Sequence, residues 1–199
     1  MNKSVFYKLS SRTRGLTLIE VAIASVISLL ATTAVMSVFI SSSKMAVDSF
    51  MRNRSYTEGR IVTEYLASDI RAAAGIESSY KGYTASADTL ILKLPSIDSN
   101  GFPVDINTKF DRVVYHPAKN NRETVVRTVI SDSSSSRKSE ERAIGSSSDQ
   151  KIGVKGSYQA LPDALGAYVI YYKFTADQTY GSKSYETPLA GSIRLRNRA

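Results

Sequence analysis

The pattern of hydrophobic and polar positions divides the chain into an apolar N-terminal run, an amphipathic continuation and a C-terminal part with alternating positions. Between residues 16 and 40 every side chain is apolar or small except the carboxylate of Glu20. A helix over these residues would be about 37 Å long at 1.5 Å per residue, and the hydrocarbon core of a bilayer is about 30 Å thick. The pattern therefore predicts a transmembrane helix over residues 16–40.

Apolar residues continue beyond residue 40 at spacings of three and four, which is the period of one helix face. They are Met45, Ala46, Phe50, Tyr56, Ile61, Val62, Tyr65, Leu66 and Ile70. Gly75 follows three alanines, which is typical of a helix end. We predict one helix over about 16–74, with 41–75 as its amphipathic continuation and Gly59 as a weak point.

From Asp88 onward the period changes to two, which indicates β-strands. The predicted strands cover residues 88–94, 112–116, 123–130, 168–175 and 191–198, and the second and third form a hairpin. Residues 96–108 are predicted to form a turn-rich loop, and the Ser-rich, charged stretch 131–156 a mobile loop. The resulting fold class is α+β, with a globular domain over 76–199 whose small antiparallel sheet covers the apolar stripe on residues 45–70.

The excess of positive charge is concentrated at the N-terminus. The formal net charge is +8, and residues 1–15 contain four basic and no acidic side chains, so half of the excess lies in this short segment. The remaining excess is modest, which disfavours nucleic acid as a partner. Basic residues before an apolar helix also place residues 1–15 in the cytoplasm and the C-terminal domain outside. The chain has no cysteine, so it forms no disulfide.

Glu20 is the most informative residue of the apolar run. A charged side chain at the centre of a transmembrane helix costs about 2.5–3.5 kcal/mol on insertion scales. We therefore expect Glu20 to have a function, because a buried charge needs a partner. An ordinary signal anchor with an incidental glutamate, which would keep residues 1–15, is the alternative.

The stretch Gly15-Leu16-Thr17-Leu18-Ile19-Glu20 resembles the processing signature of type IV prepilins. The resemblance implies cleavage of the leader, residues 1–15, between Gly15 and Leu16 by a prepilin peptidase, and N-methylation of Leu16. It implies a type IV pilin fold, and a Glu20 that sets filament register by pairing with the amino terminus of a neighbouring subunit. Many major pilins carry a helix-breaking proline in this helix, and none occurs here.

Two further stretches indicate which members of this family the chain resembles most. Residues 65–73 and 192–197 are similar to parts of minor pilins of the PilW type and of J-type minor pseudopilins of type II secretion. The implied function is non-enzymatic: a subunit of the bacterial inner membrane, and then of a pilus or pseudopilus, that joins or primes a filament. The implied partners are other pilins or pseudopilins, the inner-membrane assembly platform and, before assembly, membrane lipid. A tip adhesin or a DNA-binding pilin is the alternative.

Three candidate sites remain in the C-terminal domain. His116, the only histidine, lacks a nucleophile elbow or a second metal ligand nearby in the sequence, so a strand-end polar role is favoured over catalysis. Oxygen ligands for calcium could come from Asp98, Asn100, Asp105 and Asn107, although the same residues favour plain turns. No other metal or cofactor is predicted.

The third candidate is a row of arginines at the C-terminus. Arg194, Arg196 and Arg198 alternate along a predicted strand and could contact nucleic acid together with Arg122 and Arg127. A charged edge strand that resists aggregation explains them more simply. The tyrosines at 168, 171, 172, 180 and 185 are expected in the core of the sheet and at its rim.

Overall fold

The computed structural model describes residues 17–105, 107–119, 124–145, 152–162, 167–180 and 182–195. These residues belong to two compact units, one ending at Val47 and the other beginning at Asp48. The class is α+β: a long N-terminal helix and antiparallel sheets, against which its second half packs.

Helix α1 covers Leu18–Ala72, so the predicted single helix is confirmed. In the first unit every residue from 17 to 47 is exposed, including large apolar side chains such as Leu29 and Phe39. Neither Gly nor Pro interrupts this part, and its charge is restricted to Glu20 and Lys44. The helix is therefore long and apolar enough to cross a membrane.

The second unit contains ten strands among the described residues. They are β1 Gly75–Ile76, β2 Ser79–Tyr80, β3 Tyr83–Thr84, β4 Leu90–Pro95, β5 Phe110–Pro117, β6 Val125–Ile130, β7 Glu140–Ile144, β8 Ile152–Pro162, β9 Tyr168–Tyr180 and β10 Lys183–Arg194. A five-stranded sheet has the order β1-β4-β5-β6-β7, a three-stranded sheet the order β10-β9-β8, and β2 pairs with β3. All these pairs are antiparallel.

Four of the predicted strands and the β5–β6 hairpin are confirmed in position. The strand predicted over 191–198 is confirmed only to Arg194, because β10 ends there and residues 196–198 lie outside the described part of the chain. Two strands are longer than expected, because β9 extends to Tyr180 and β10 begins at Lys183. The expected loop over 131–156 is wrong in part, since it contains β7 and the beginning of β8. The polar composition predicted a loop, but β7 is an edge strand of the sheet. Its residues Glu140, Glu141 and Arg142 are exposed, so the strand forms without burying their charges.

The core forms where α1 meets the sheets. The helix buries Val62, Leu66 and Ile70 completely, and they pack with Tyr115 of β5 and Phe174 of β9 in one apolar cluster. Fully burying an aliphatic side chain of this size contributes about 1.5–3 kcal/mol, so these residues attach the helix to the sheets.

Gly59, predicted as a weak point, is buried in α1 at a close approach to the three-stranded sheet. A Cβ added there would lie 2.5 Å from Cδ1 of Leu189 and 3.6 Å from Cβ of Ala176. The missing side chain thus lets β9 and β10 lie against the helix.

The apolar stripe on residues 45–70 is only partly covered, which corrects the expectation. Met45, Phe50 and Tyr56 are exposed, whereas Val62 and the residues one and two turns after it are buried. The reason is helical geometry: residues one position apart point about 100° apart, so a single contact face cannot cover a stripe of this width.

Candidate functional site

The first candidate site lies at the start of α1. The backbone N–H of Thr17 donates to Oε2 of Glu20 at 2.8 Å, and the Thr17 hydroxyl donates to the same oxygen at 2.9 Å. The N–H of Glu20 donates back to Oγ1 of Thr17 at 3.3 Å. This reciprocal arrangement is a capping box, which satisfies N–H groups that a helix start leaves unpaired. Gly15 and Leu16 lie outside the described residues.

The capping box gives Glu20 a partner within its own chain. Sequence reasoning missed it, although Thr-x-x-Glu before an apolar run is its recognised signal. A carboxylate near a helix N-terminus is also favoured by the helix dipole. The carboxylate of Glu20 therefore has hydrogen-bond donors within its own chain.

Three hydroxyl groups in the apolar half of α1, those of Ser25, Thr32 and Thr33, donate to carbonyl groups of the helix itself. Ser25 donates to the carbonyl of Ala22, and Thr32 to that of Ser28, each at 2.8 Å. Because hydrocarbon offers no hydrogen-bond partner, polar groups that bond to their own backbone can face lipid at lower cost. This part of the helix is thus compatible with a bilayer on all sides.

A polar cluster connects the second half of α1 to the five-stranded sheet. Asp69 accepts hydrogen bonds from Nε of Arg127 at 2.7 Å, from Nη2 of Arg127 at 3.0 Å and from the Tyr115 hydroxyl at 2.6 Å. Arg127 also reaches Glu140 on β7 at 3.2 Å. Asp69 thereby attaches the helix to β5 and β6.

The cluster changes the acid–base properties of its members. Burial, and then the charge of Asp69, raise the pKa of the Tyr115 phenol well above its usual value. Burial by itself lowers the pKa of Arg127, but the hydrogen bonds and charge of Asp69 outweigh it, so the net pKa is raised. Both groups keep their protons throughout the physiological range, which suits a permanent structural contact.

Asp111 forms a second buried polar cluster beside the Ser-rich stretch. Its Oδ1 accepts from the Ser96 hydroxyl and the N–H of Asp132, and its Oδ2 accepts from the Ser135 hydroxyl and Arg137, at distances from 2.8 to 3.1 Å. Four donors surround a fully buried carboxylate. These contacts hold residues 132–137 against β5.

His116 is buried at the end of β5. Its Nδ1 lies 2.9 Å from the carbonyl of Pro117, and its Nε2 lies 3.0 Å from the hydroxyl of Thr128. Because a carbonyl only accepts, Nδ1 carries a proton, and in the neutral ring Nε2 then accepts from the Thr128 hydroxyl. Both ring nitrogens are used in structural contacts at the end of β5.

The four candidate calcium ligands lie in the loop between β4 and β5. Oδ1 of Asp98 accepts from the N–H groups of Asn100 and Phe102, and Oδ1 of Asp105 accepts from the N–H of Asn107. The hydrogen bond from Thr108 and that from Asn107 lower the pKa of Asp105. These bonds are those of the turn alternative, and in the described part of the chain no three His, Asp or Glu residues gather as a metal site.

The arginine row is only partly described. Arg194 is exposed at the end of β10, Arg196 and Arg198 lie outside the described residues, and so does Arg122. Arg127 is paired with Asp69 and does not belong to a surface patch. Of the five tyrosines, those at 168 and 171 are about half exposed, those at 172 and 185 face the core, and the side chain at 180 is not described.

No protein family model, curated protein or solved structure matches this chain.

Proposed function

We propose that this chain is a minor pilin or minor pseudopilin, a subunit that joins or primes the assembly of a type IV pilus-like filament. The observation that carries the proposal is the junction at residues 15–20. Immediately after the Gly15–Leu16 bond, Thr17 and Glu20 cap a helix whose first 25 or so residues are apolar and exposed and whose second half packs on antiparallel sheets. This combination supports a subunit that is anchored in lipid and then packs its helix against others.

Glu20 has a different partner at each stage of this proposal. In the bilayer its carboxylate is held by Thr17, so insertion does not leave it without a hydrogen bond. After cleavage, the new amino terminus of a neighbouring subunit offers a positive charge, which pairs better with a carboxylate than a hydroxyl does. The carboxylate of Glu20 would exchange Thr17 for the amino terminus of a neighbouring subunit. This pairing would be possible at one axial offset between subunits, so it would set the register.

The proposal includes a location and a set of partners. The chain resides in a bacterial inner membrane with residues 1–15 in the cytoplasm and the second unit outside. A prepilin peptidase cleaves it, other pilins or pseudopilins pack against it, and an inner-membrane platform extracts it from lipid. The activity is assembly, and the chemistry at Gly15–Leu16 is performed by the peptidase.

Mass spectrometry of the purified chain's N-terminus tests the proposal. Cells with an active prepilin peptidase should yield a chain that begins at methylated Leu16, and Gly15→Leu should keep the leader. Full-length chain starting at Met1 in such cells would contradict it.

The role of Glu20 has its own test. Glu20→Ala should be cleaved and methylated normally but be depleted from sheared filaments, because its axial partner is lost. Glu20→Asp, which keeps the charge on a shorter side chain, serves as the matched control and should be depleted less. Equal incorporation of Glu20→Ala and the unchanged chain would refute the pairing while leaving the processing result intact.

A further inference from the structure

The loop between β4 and β5 contains an asparagine that is followed directly by a glycine, Asn100-Gly101. The chain has six other asparagines, and each of them is followed by a residue with a side chain. Because glycine has no Cβ, the backbone nitrogen after Asn100 is less shielded than the one after any other asparagine. Such a junction is chemically labile, since that nitrogen can attack the side-chain amide of the asparagine before it.

The side chain of Asn100 is available for this reaction. Asn100 is exposed, and its backbone N–H donates to Oδ1 of Asp98 at 2.8 Å. Among the described residues, no hydrogen bond involves the amide group of its side chain. Open space also surrounds Gly101, because nothing lies within 4 Å of a Cβ placed there. Water, which the reaction consumes, therefore reaches the junction.

A turn built on Asp98 restrains the same junction. The N–H of Gly101 donates to the carbonyl of Asp98 at 3.1 Å, and the N–H of Phe102 donates to Oδ1 of Asp98 at 2.9 Å. We call residues 98–102 the Asp98 turn. Before the nitrogen of Gly101 can attack, it must lose its proton and turn toward the side chain of Asn100, so its hydrogen bond has to break. The turn thus slows the reaction while leaving the junction open to water.

We propose that Asn100 is a site of spontaneous deamidation whose rate is limited by the Asp98 turn. The backbone nitrogen of Gly101 forms a bond to Cγ of Asn100, and the bond between Cγ and Nδ2 breaks. Ammonia leaves with the proton that Gly101 gives up, and a succinimide ring remains. Water then opens the ring at either of its carbonyl groups, which yields aspartate or isoaspartate. The net change is the uptake of a water molecule and the loss of ammonia.

Either product changes the surface of this loop. Both products add a negative charge beside the carboxylate of Asp98. Isoaspartate also carries the main chain through the side-chain carbon, which adds a methylene group between residues 100 and 101. The N–H groups of Gly101 and Phe102 then no longer fit their acceptors on Asp98, and the exposed Phe102 loses the contact that fixes its position.

Asn107, in the same loop, provides an internal comparison. It is also exposed, and its N–H is bonded to the aspartate two positions before it, Asp105. It differs in being followed by Thr108, whose branched Cβ shields the attacking nitrogen. Trypsin releases residues 94–109 as one peptide, so both asparagines are measured together.

This inference is independent of the proposed function, because it needs neither cleavage at Gly15–Leu16 nor a second subunit. Peptide mapping of the aged full-length chain tests it. The purified chain in detergent micelles is incubated at mildly alkaline pH, digested with trypsin and analysed by fragment-ion mass spectrometry, and a sample digested before the incubation gives the background.

The expected result is a mass gain of about 1 Da at position 100. It should appear at least about tenfold faster than the same gain at Asn107, because Thr108 hinders attack there. Equal rates at the two positions, or no gain at position 100, would overturn the assignment of the site.

Two alanine variants test the role of the Asp98 turn. Asp98→Ala removes the acceptor of the N–H groups of Asn100 and Phe102, and should speed the gain at position 100 about fivefold. Asp105→Ala is the matched control, because it removes the corresponding acceptor beside Asn107, and it should leave the rate at position 100 unchanged. Circular dichroism of each variant checks that the sheets are intact. An unchanged rate in Asp98→Ala, or the same acceleration in both variants, would show that the turn does not limit the reaction.

Discussion

The carboxylate of Asp69 on α1 and the guanidinium of Arg127 on β6 form a two-point ion pair, with N–O distances of 2.7 and 3.0 Å. Both side chains are nearly buried. Their separation in sequence, 58 positions, means that the pair connects the long helix to β6, an interior strand of the five-stranded sheet. Planar bidentate pairing fixes orientation as well as distance, so the helix is held in one rotation about its axis.

Replacing Asp69 should lower the free energy of unfolding more than removing the hydroxyl of Tyr115, which also donates to Asp69. Asp69→Ala leaves the guanidinium of Arg127 buried without its main acceptor, and we expect the free energy of unfolding to fall by about 3–5 kcal/mol. Tyr115→Phe removes one hydrogen bond only and should cost about 1 kcal/mol. Urea unfolding of the full chain in detergent micelles, followed by circular dichroism at β-sheet wavelengths, measures both. Equal losses for the two variants would show that the ion pair does not attach the helix.

Gly145 lies at a crossing where a side chain has no room. Its φ is 66°, and an added Cβ would clash with Cγ2 of Val62 and lie 2.9 Å from Cγ2 of Val154. Gly145→Ala should therefore destabilise the second unit by the clash, about 1–3 kcal/mol, in addition to the cost of a left-handed backbone.

Gly101 supplies the matched control for this variant. Its φ is also positive, at 83°, but nothing lies within 4 Å of an added Cβ. Gly101→Ala should show the backbone cost alone. If both variants lower the thermal midpoint equally, the crossing of α1 and β8 at Gly145 is not as tight as the distances indicate.

Asp111 should control the accessibility of the Ser-rich stretch to proteases. Asp111→Ala removes the acceptor that Ser135, Arg137 and the N–H of Asp132 share, and leaves these donors unpaired. Limited trypsin digestion should then cut faster after Arg137 and Lys138. Asp88→Ala, at an exposed carboxylate outside this cluster, should leave the rate unchanged. No acceleration in Asp111→Ala would mean that other contacts hold the stretch.

Acid should weaken the attachment between α1 and β10. The Tyr185 hydroxyl bonds Asp48 and is the main cause of a lowered pKa at that carboxyl, with smaller contributions from Lys183. A carboxyl whose pKa is lower in the folded than in the unfolded state stabilises the fold above the unfolded pKa, and this contribution disappears as pH falls through the folded pKa.

Tyr185→Phe removes the main cause of that shift. The pKa of Asp48, followed by carboxyl chemical shift in an NMR titration, should rise toward its ordinary value of about 3.9. The acid transition of this contact should then begin at a higher pH. An unchanged titration in Tyr185→Phe would show that the hydrogen bond is absent in solution.

Much of the fold followed from local patterns. The helix over residues 18–72 was predictable because its apolar run and its later three- and four-residue spacing are local properties of the chain. The β5–β6 hairpin was predictable for the same reason. The strands β7 and β8 were not, since a polar edge strand or a glycine-containing strand is selected by its neighbour and not by its own composition.

The same distinction applies to the candidate sites: contacts between residues close in sequence were predictable, and contacts between distant residues were not. Thr17 and Glu20 are three residues apart on one helix turn, so their contact could have been read from the sequence. The partners of Asp69 are 46 and 58 positions away, and no local rule points to them. For this reason the sequence groups Arg127 with the surface arginines, whereas the fold buries it beside Asp69.

The sequence by itself therefore determined the long helix, the apolar character of its first half, the α+β class and the signature at residues 15–20, because each depends on residues within a few turns of one another. Only the tertiary structure decided which part of the apolar stripe is covered, how Asp69, Arg127 and Asp111 are neutralised, and which apolar side chains remain on the surface beside charges. These depend on strand order and register, which bring together residues that are distant in the chain.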